Sequence, residues 1–378
     1  MADNNSRNEG DKTVLNSKRG IAINVTANDN AHFLVVSEGG AKGRTFELGD
    51  APVTVGRHQN CDLCLPEPWI SKHHCQVLQA QGKVWVTDLN STNGTFLDGQ
   101  CVIGQAVWPE GASLTLGSHV IKHELRSRKE FNISEKLAED LRDASAYVLS
   151  LLPAPVVDGS VNVDWCYAPS AVLGGDSFGY HWLDGDRFVF YLLDVCGHGA
   201  GPALHTVSIL NMLRDQTLAN VDFTVPSRVL ETLNGALPME HHGDMFFSIW
   251  YGVYSKSSRR LDFASGGHPP ALLFPPHGGL TQELRTDNPF MGILPKQVYE
   301  QASLVLAPGS RLCVFTDGAF EFKLPDGTEG SLEAFRALLE NAHPTEGLEA
   351  KSIYQKLTTI ALDGKLDDDF SLIILRFN

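Results

Sequence analysis

The chain has 378 residues, of which 43% are hydrophobic, and a formal net charge of −15 at pH 7. This length and composition predict a soluble globular protein of two or three domains, each able to bury a core. A chain this acidic is a poor general nucleic-acid binder, because contacts to phosphates need lysine and arginine. Its apolar runs are far shorter than the ~20 residues that a membrane span needs. We therefore expect neither a nucleic-acid nor a membrane partner.

The N-terminal segment, residues 1–31, is polar and rich in Asn, Asp and Ser. This composition predicts a disordered tail, and the segment has no apolar core of the kind a secretory signal needs. The seven cysteines are scattered along the chain. Without an export signal they are expected to be reduced thiols, so we predict a cytoplasmic protein.

Residues 32–127 contain short strand-like runs separated by turn residues, with no helical pattern. This spacing predicts a β-sandwich domain. A helical linker over 128–152 follows, with Asn132 as a candidate N-cap of a helix over 132–152. Its apolar residues follow a 4-3-4-3 spacing: Leu137, Leu141, Ala144, Val148 and Leu151. This seam fits either packing on a neighbouring domain or a short coiled coil that would make a homodimer.

Residues 153–378 mix strand-like and helix-like periods. The helix-like runs are 202–218, 226–237, 332–342 and 348–362. Several of the strand-like runs follow one another without an intervening helix, which favours an α+β domain over a parallel sheet.

Aspartates recur where apolar strands begin or end. Asp194 closes "FVFYLLD" and is followed by glycine at position 197, and Asp317 closes "LCVFTD" and is followed directly by Gly318. Asp176 follows two glycines, and the run 367–369 directly precedes an apolar strand. If these strands are neighbours, a divalent cation would relieve the repulsion between the carboxylates. Oxygen ligands of this kind favour Mg²⁺ or Mn²⁺, two of which can activate one water for phosphate hydrolysis. The alternative is a set of separate helix caps and turn residues.

A series of motifs in the second half of the chain carries a resemblance to a known family. The motifs are "LLP", "GGDSFGY", "LLDVCGHGAGPAL", "RRLDFASGGHPPALLF", "NPFMGILP", "LVLAPGSRLCVFTDGAFE" and "DDDFSLIIL". In this order they resemble the SpoIIE-type branch of the metal-dependent PPM protein serine/threonine phosphatases. The resemblance covers about residues 148–378 and implies an αββα sandwich with two Mn²⁺ or Mg²⁺ ions. The implied catalytic and metal-binding residues are Asp176, Asp194, Asp317 and Asp368, with the Val195 carbonyl as a further ligand.

Two residues in these motifs suggest other chemistry. Cys196 stands where the family usually has serine, but a cysteine phosphatase would need arginine at the position of Pro202. We therefore expect Cys196 to be a small buried residue. His198 fits either a general acid for the leaving group or a polar residue of a glycine turn. Gly179 replaces the second acid that relatives often have, which puts a third metal in doubt.

The β-sandwich carries a second set of polar residues on its loops. "VGRHQNCDL", "WISKHHCQV" and "DLNSTNGTFLDG" resemble, in this order, the forkhead-associated (FHA) domain, which binds phosphothreonine peptides. The resemblance implies that Arg57 and Ser71 hold phosphate, since the arginine fork matches phosphate oxygens. It implies that Thr92 and Asn93 hold the peptide and that His74 braces the loop. The residues alone also fit ordinary turns.

The combined prediction is a multi-domain bacterial signalling enzyme. Its parts are a tail (1–31), an all-β FHA-like sandwich (32–127), a helical linker (128–152) and an α+β phosphatase domain (153–378). It would hydrolyse phosphoserine or phosphothreonine on a partner protein, and the resemblance to SpoIIE-type phosphatases suggests an anti-sigma-factor antagonist as that partner. The alternatives are a phosphothreonine-binding scaffold with a silent phosphatase domain, and a small-molecule phosphohydrolase.

Overall fold

The structure is a computed structural model that describes residues 29–157, 159–276, 278–342 and 349–378. Most of the predicted tail, residues 1–28, lies outside this range. The first strand begins at Asn30, so the last two residues that we grouped with the tail belong to a sheet. The chain divides into two compact units, Met1–Leu137 and Ala138–Asn378. No helix in the described ranges is long and apolar enough to cross a membrane.

The first unit is the predicted β-sandwich. Its strands are β1 (Asn30–Glu38), β2 (Thr45–Leu48), β3 (Val53–Gly56), β4 (Leu63–Cys64), β5 (Cys75–Ala80), β6 (Lys83–Asp88), β7 (Phe96–Leu97), β8 (Gln100–Cys101), β9 (Gln105–Trp108), β10 (Ser113–Leu116) and β11 (His119–Ser127). One sheet has the order β2-β1-β11-β10-β7-β8 and the other β4-β3-β5-β6-β9. Apolar side chains of both sheets, among them Leu34, Ile121, Val55 and Val77, form one buried core. This confirms the all-β prediction.

Helix α1 (Arg128–Ser150) begins four residues before Asn132, so the N-cap prediction was wrong. The Ser127 hydroxyl accepts a hydrogen bond from the Glu130 N–H at 3.2 Å, which is how an N-cap satisfies a free donor. Phe131 stacks on Phe33 of β1, with ring centroids 4.3 Å apart. This contact within the first unit favours the earlier start.

The apolar seam of α1 is partly explained by packing inside the second unit. Val148 is buried against Leu173 and Ala203, and two other seam residues, Leu141 and Ala144, pack on the same cluster. Leu137, at the other end of the seam, is 57% exposed. A dimer through this helix therefore stays a prediction, restricted to the exposed end.

The second unit has two five-stranded sheets with antiparallel ladders, in the orders β13-β14-β15-β16-β19 and β12-β21-β20-β17-β18. The strands are β12 (Val161–Ala168), β13 (Asp176–Trp182), β14 (Arg187–Val195), β15 (Phe247–Ser255), β16 (Arg260–Gly266), β17 (Ala271–Phe274), β18 (Gln282–Leu284), β19 (Ala302–Val305), β20 (Ser310–Phe315) and β21 (Phe370–Phe377). The helices are α2 (Ala200–Arg214), α3 (Pro226–Ala236), α4 (Leu332–Glu340) and α5 (Glu349–Ile360).

The apolar run of β14 is buried on both faces. Phe190 and Leu192 point to the core between the two sheets, whereas Val189 and Leu193 point to the core beneath α2 and α3. A strand covered on both sides needs an unbroken apolar run rather than alternation. Helices α4 and α5 cover the outer face of the other sheet. The layers are therefore helix, sheet, sheet, helix, which confirms the predicted αββα sandwich.

Candidate metal centre

Asp176 and Asp194 face each other across two paired strands. Asp176 opens β13 and Asp194 lies near the end of β14, and the strand register places them directly opposite. Strand alternation puts them on the face that carries Phe178 and Leu192, towards the other sheet. Directly opposite residues have Cβ atoms about 5 Å apart, and like charges in such pairs are destabilising.

The opposite sheet supplies the other two predicted carboxylates. Asp317 begins a single 3-10 turn just after β20, and Asp368 lies two residues before β21. These two strands are paired in the same sheet. The charges of both aspartates raise the pKa of Asp194, so they lie within electrostatic reach of it. The structure thus brings the four predicted aspartates to one end of the two sheets.

The pKa values of these carboxyl groups show that their joint ionisation is unfavourable. Burial raises the pKa of Asp194 to about 7, and the charges of Asp317 and Asp368 add to the effect. Burial raises the pKa of Asp317 to about 6, again helped by Asp368. The pKa of Asp176 lies well above its usual range because of burial and of the charge on Asp194. Such a cluster needs either protons or a cation.

The donor set fits hard divalent cations, because it consists of oxygens alone. The Val195 carbonyl lies against Gly175, where an added Cβ would come within 2.3 Å of the oxygen. Glycine is therefore required at this approach of the two strands. In the described residues no three Asp, Glu, His or Cys side chains are gathered into a finished metal site. The predicted ligands fit such cations in chemistry and lie at one end of the two sheets. Their side chains do not, however, approach each other closely enough to form a finished site.

Two further polar residues line this region. Cys196 is half-buried, and its sulfur accepts a hydrogen bond from the Phe246 N–H at 3.4 Å. Position 202 is proline instead of the arginine that a thiolate mechanism would need. Burial raises the pKa of Asp368, and the nearby charge of His198 opposes that rise. His198 is exposed, which places its imidazole at the open side of the aspartate cluster.

Two residues outside the predicted set of site residues contact the predicted ligands. The Thr316 hydroxyl donates a hydrogen bond to Asp176 Oδ2 at 2.8 Å. Asp369, the neighbour of exposed Asp368, is buried and accepts a hydrogen bond from the Gly175 N–H at 2.6 Å. Counting back along β21 in steps of two from Ile373, which faces the inter-sheet core, would have pointed to Asp369.

In the absence of divalent cations, Asp194→Asn should raise the melting temperature, more at pH 8 than at pH 5. The pKa of Asp194 is about 7 in the folded protein, so the folded state takes up this proton at higher pH than the unfolded chain. The destabilisation by the buried charge therefore grows as the pH rises from the unfolded-state pKa of about 4 and is complete above about 7. Thermal unfolding in EDTA at each pH gives the difference in melting temperature between the variant and the wild-type protein. Histidine titrations that both proteins share cancel in this difference. An equal difference at both pH values would contradict the expected titration.

The candidate phosphopeptide site lies on loops of the first unit. The Arg57 N–H donates to the Ser71 carbonyl at 3.0 Å, and the Thr92 N–H donates to the Ser71 hydroxyl at 3.0 Å. The Asn93 amide donates to the Trp69 carbonyl at 2.6 Å. The guanidinium of Arg57 is exposed. The structure therefore brings the four predicted peptide-binding residues together on one surface.

Buried His74 ties these loops to each other. Its Nδ1 accepts a hydrogen bond from the Ser71 N–H at 3.2 Å, and its Nε2 lies 3.1 Å from the Gly94 carbonyl. Gly56 at the end of β3 approaches the same loop so closely that an added Cβ would lie 2.4 Å from the Lys72 carbonyl. The polar surface is thus held by internal bonds rather than by mobile side chains.

Comparison with known proteins identifies both units. Residues 184–378 match the family described as Stage II sporulation protein E (SpoIIE), and residues 53–117 match the FHA domain. The first match covers more than half of the chain, so the protein belongs to the SpoIIE family, and it carries an N-terminal FHA domain.

Individual relatives match one unit each. The chain is 26% identical over 202 residues to phosphoserine phosphatase RsbP of Bacillus subtilis, across 52% of this chain and 47% of RsbP. It is 37% identical over 112 residues to the FHA domain-containing protein FhaB of Mycolicibacterium smegmatis, across 28% of this chain and 72% of FhaB. The SiaA-PP2C domain of Pseudomonas aeruginosa shares the fold, with a TM-score of 0.56, 20% identity, and coverage of 65% of this chain and 99% of that domain. The chain thus spans about half the length of RsbP.

Proposed function

We propose that the protein is a metal-dependent phosphatase that removes phosphate from serine or threonine of a partner protein. The observation that carries this proposal is the convergence of Asp176, Asp194, Asp317 and Asp368 at one end of the two sheets. Membership of the SpoIIE family and the similarity to a phosphoserine phosphatase support it. The ions are Mn²⁺ or Mg²⁺, and two of them would be held by these aspartates and the Val195 carbonyl.

Two bound cations would acidify a water molecule and neutralise the phosphoryl oxygens. The protein's own residues hold and orient that centre. Asp194 lies between Asp176 of its own sheet and the aspartates of the other sheet, which suits a residue that contacts both ions. Gly197 and Gly199 adopt positive φ angles of 87° and 99°, which favour glycine, and the lack of side chains there would leave room beside Asp194 for phosphate. His198 stays a candidate for protonating the leaving oxygen.

The FHA unit is proposed to bind a phosphothreonine of the substrate protein or of a scaffold that carries it. Arg57 and Ser71 would hold the phosphate, while Thr92 and Asn93 would hold the peptide backbone. The hydrogen bonds among these loops support the assignment, because a pre-ordered site loses less entropy on binding. A phosphorylated anti-sigma-factor antagonist is a candidate substrate, and a homodimer through α1 is a candidate assembly.

Hydrolysis of 4-nitrophenyl phosphate by the full chain tests the phosphatase proposal. EDTA should abolish the activity, and Mn²⁺ or Mg²⁺ should restore it. Cys196→Ser should retain activity, since we assign no nucleophile to the thiol. A protein that binds phosphothreonine peptides but hydrolyses neither this substrate nor a phosphoprotein with Mn²⁺ present would instead be a scaffold. Activity that persists in EDTA would exclude the metal mechanism.

A further inference from the structure

Asp369 occupies a buried position from which its carboxylate holds the segment that leads into Asp176. The residue is 4% exposed and directly precedes β21. Its Oδ1 accepts hydrogen bonds from the backbone N–H of Ser170 at 2.7 Å and from the Ser170 hydroxyl at 2.9 Å. Its Oδ2 accepts a hydrogen bond from the Gly175 N–H at 2.6 Å. Both carboxylate oxygens are therefore engaged by donors of the loop before β13.

The backbone of Asp369 contacts the other acidic motifs. Its N–H donates to Asp368 Oδ1 at 2.7 Å, which fixes that carboxylate relative to β21. Its carbonyl lies so close to Gly318 that an added Cβ there would come within 2.2 Å of the oxygen. Gly318 follows Asp317 directly. Asp369 thus contacts Asp368 itself and the glycines next to Asp176 and Asp317, which are three of the four candidate ligands.

We propose that Asp369 is a positioning residue that places the Asp176 and Asp368 carboxylates and thereby sets the affinity of the centre for its cations. The inference rests on the proposed function, since it needs a metal centre at these aspartates. Hydrogen bonds from N–H groups to a carboxylate are stronger than those between neutral groups. Losing the acceptor would leave the buried Gly175 N–H unpaired, which is costly enough to move the loop. With both oxygens engaged, Asp369 is not itself assigned as a ligand.

Asp369→Asn in the full chain tests this role, because asparagine keeps the size but turns one acceptor into an NH₂ donor. Calorimetric titration of the metal-free protein with Mn²⁺ should show a dissociation constant raised about 10- to 100-fold, the usual effect of removing a group that orients a ligand. The number of ions bound should stay the same. The matched control is Asp287→Asn, which removes the same charge from a side chain that is 89% exposed and should change the affinity less than about threefold because water and salt screen it.

A second variant covers the case in which Asp369→Asn does not fold. Gly174→Ala keeps every charge but adds a Cβ 2.3 Å from Asp369 Oδ2, so it should displace the carboxylate and weaken Mn²⁺ binding in the same direction. Amide hydrogen exchange provides a readout without metal or substrate. The Gly175 amide should exchange faster in either variant than in the wild-type protein, because its bond to Asp369 is lost or strained.

The possible outcomes separate this inference from the proposed function. Folded Asp369→Asn or Gly174→Ala protein with unchanged Mn²⁺ affinity overturns the positioning role, even if its melting temperature falls. A loss of one bound ion also overturns it, since Asp369 would then be a ligand. Wild-type protein that binds Mn²⁺ without hydrolysing phosphate refutes the phosphatase, while a weakened affinity in the variants still supports the positioning role. Wild-type protein that binds no Mn²⁺ overturns both.

Discussion

Asp194→Asn should lower kcat/KM for 4-nitrophenyl phosphate by at least about a thousandfold at saturating Mn²⁺. Charge stabilisation by bound metal is worth several kcal/mol, and each 1.36 kcal/mol is a factor of ten in rate. Asp194 is the residue whose pKa responds to both aspartates of the opposite sheet, so its loss should affect the whole centre. Steady-state kinetics over a range of Mn²⁺ concentrations measures the effect.

The matched control is Asp287→Asn, because the side chain of Asp287 is 89% exposed. It removes the same charge and should keep activity within about twofold, as exposed charges are screened. A folded Asp194→Asn protein with full activity would end the two-metal proposal. The stabilising effect expected for this substitution without metal makes misfolding a poor explanation for lost activity.

The positions of the candidate ligands could be predicted because the signal is local. An apolar run buried on both faces and followed by aspartate, with glycine within the next three residues, identifies the end of a strand, as at Asp194 and Asp317. The mixture of strand-like and helix-like runs predicted an α+β domain, whereas the αββα layering was implied by the family resemblance. Strand β12 was not predicted, although VNVDWCYA begins with alternating apolar and polar residues and has turn residues on both sides.

Contacts between distant segments could not be predicted from the sequence. The bonds from Ser170 and Gly175 to Asp369 join residues nearly two hundred positions apart. The start of α1 was predicted wrongly for a related reason. Ser127 and Asn132 are each followed three residues later by glutamate, so local capping rules favour neither. The stacking of Phe131 on Phe33 is a tertiary contact, and helix propensity takes no account of such contacts.

Arg57→Ala should raise the KM for a phosphoprotein that carries both a phosphothreonine and the scissile phosphate by roughly 100-fold, with kcat unchanged. If the FHA unit holds the phosphothreonine, the encounter at the metal centre becomes intramolecular. Short flexible tethers reach effective concentrations of about a millimolar, which gives gains of this size. An effect on KM alone is the mark of binding that is equal in ground and transition states. The backbone bond from Arg57 to Ser71 survives the substitution.

Small substrates gain nothing from a tether, so Arg57→Ala should leave 4-nitrophenyl phosphate hydrolysis within about twofold. Arg126→Ala is the matched control, since it removes an exposed charge from the same unit. Direct regulation of the catalytic unit by the FHA unit predicts something different. In that case a free phosphothreonine peptide would change the rate on the small substrate in the wild-type protein but not in Arg57→Ala. With tethering, the free peptide only competes with the phosphoprotein and leaves the small-substrate rate unaltered, so these two rate measurements decide between the mechanisms.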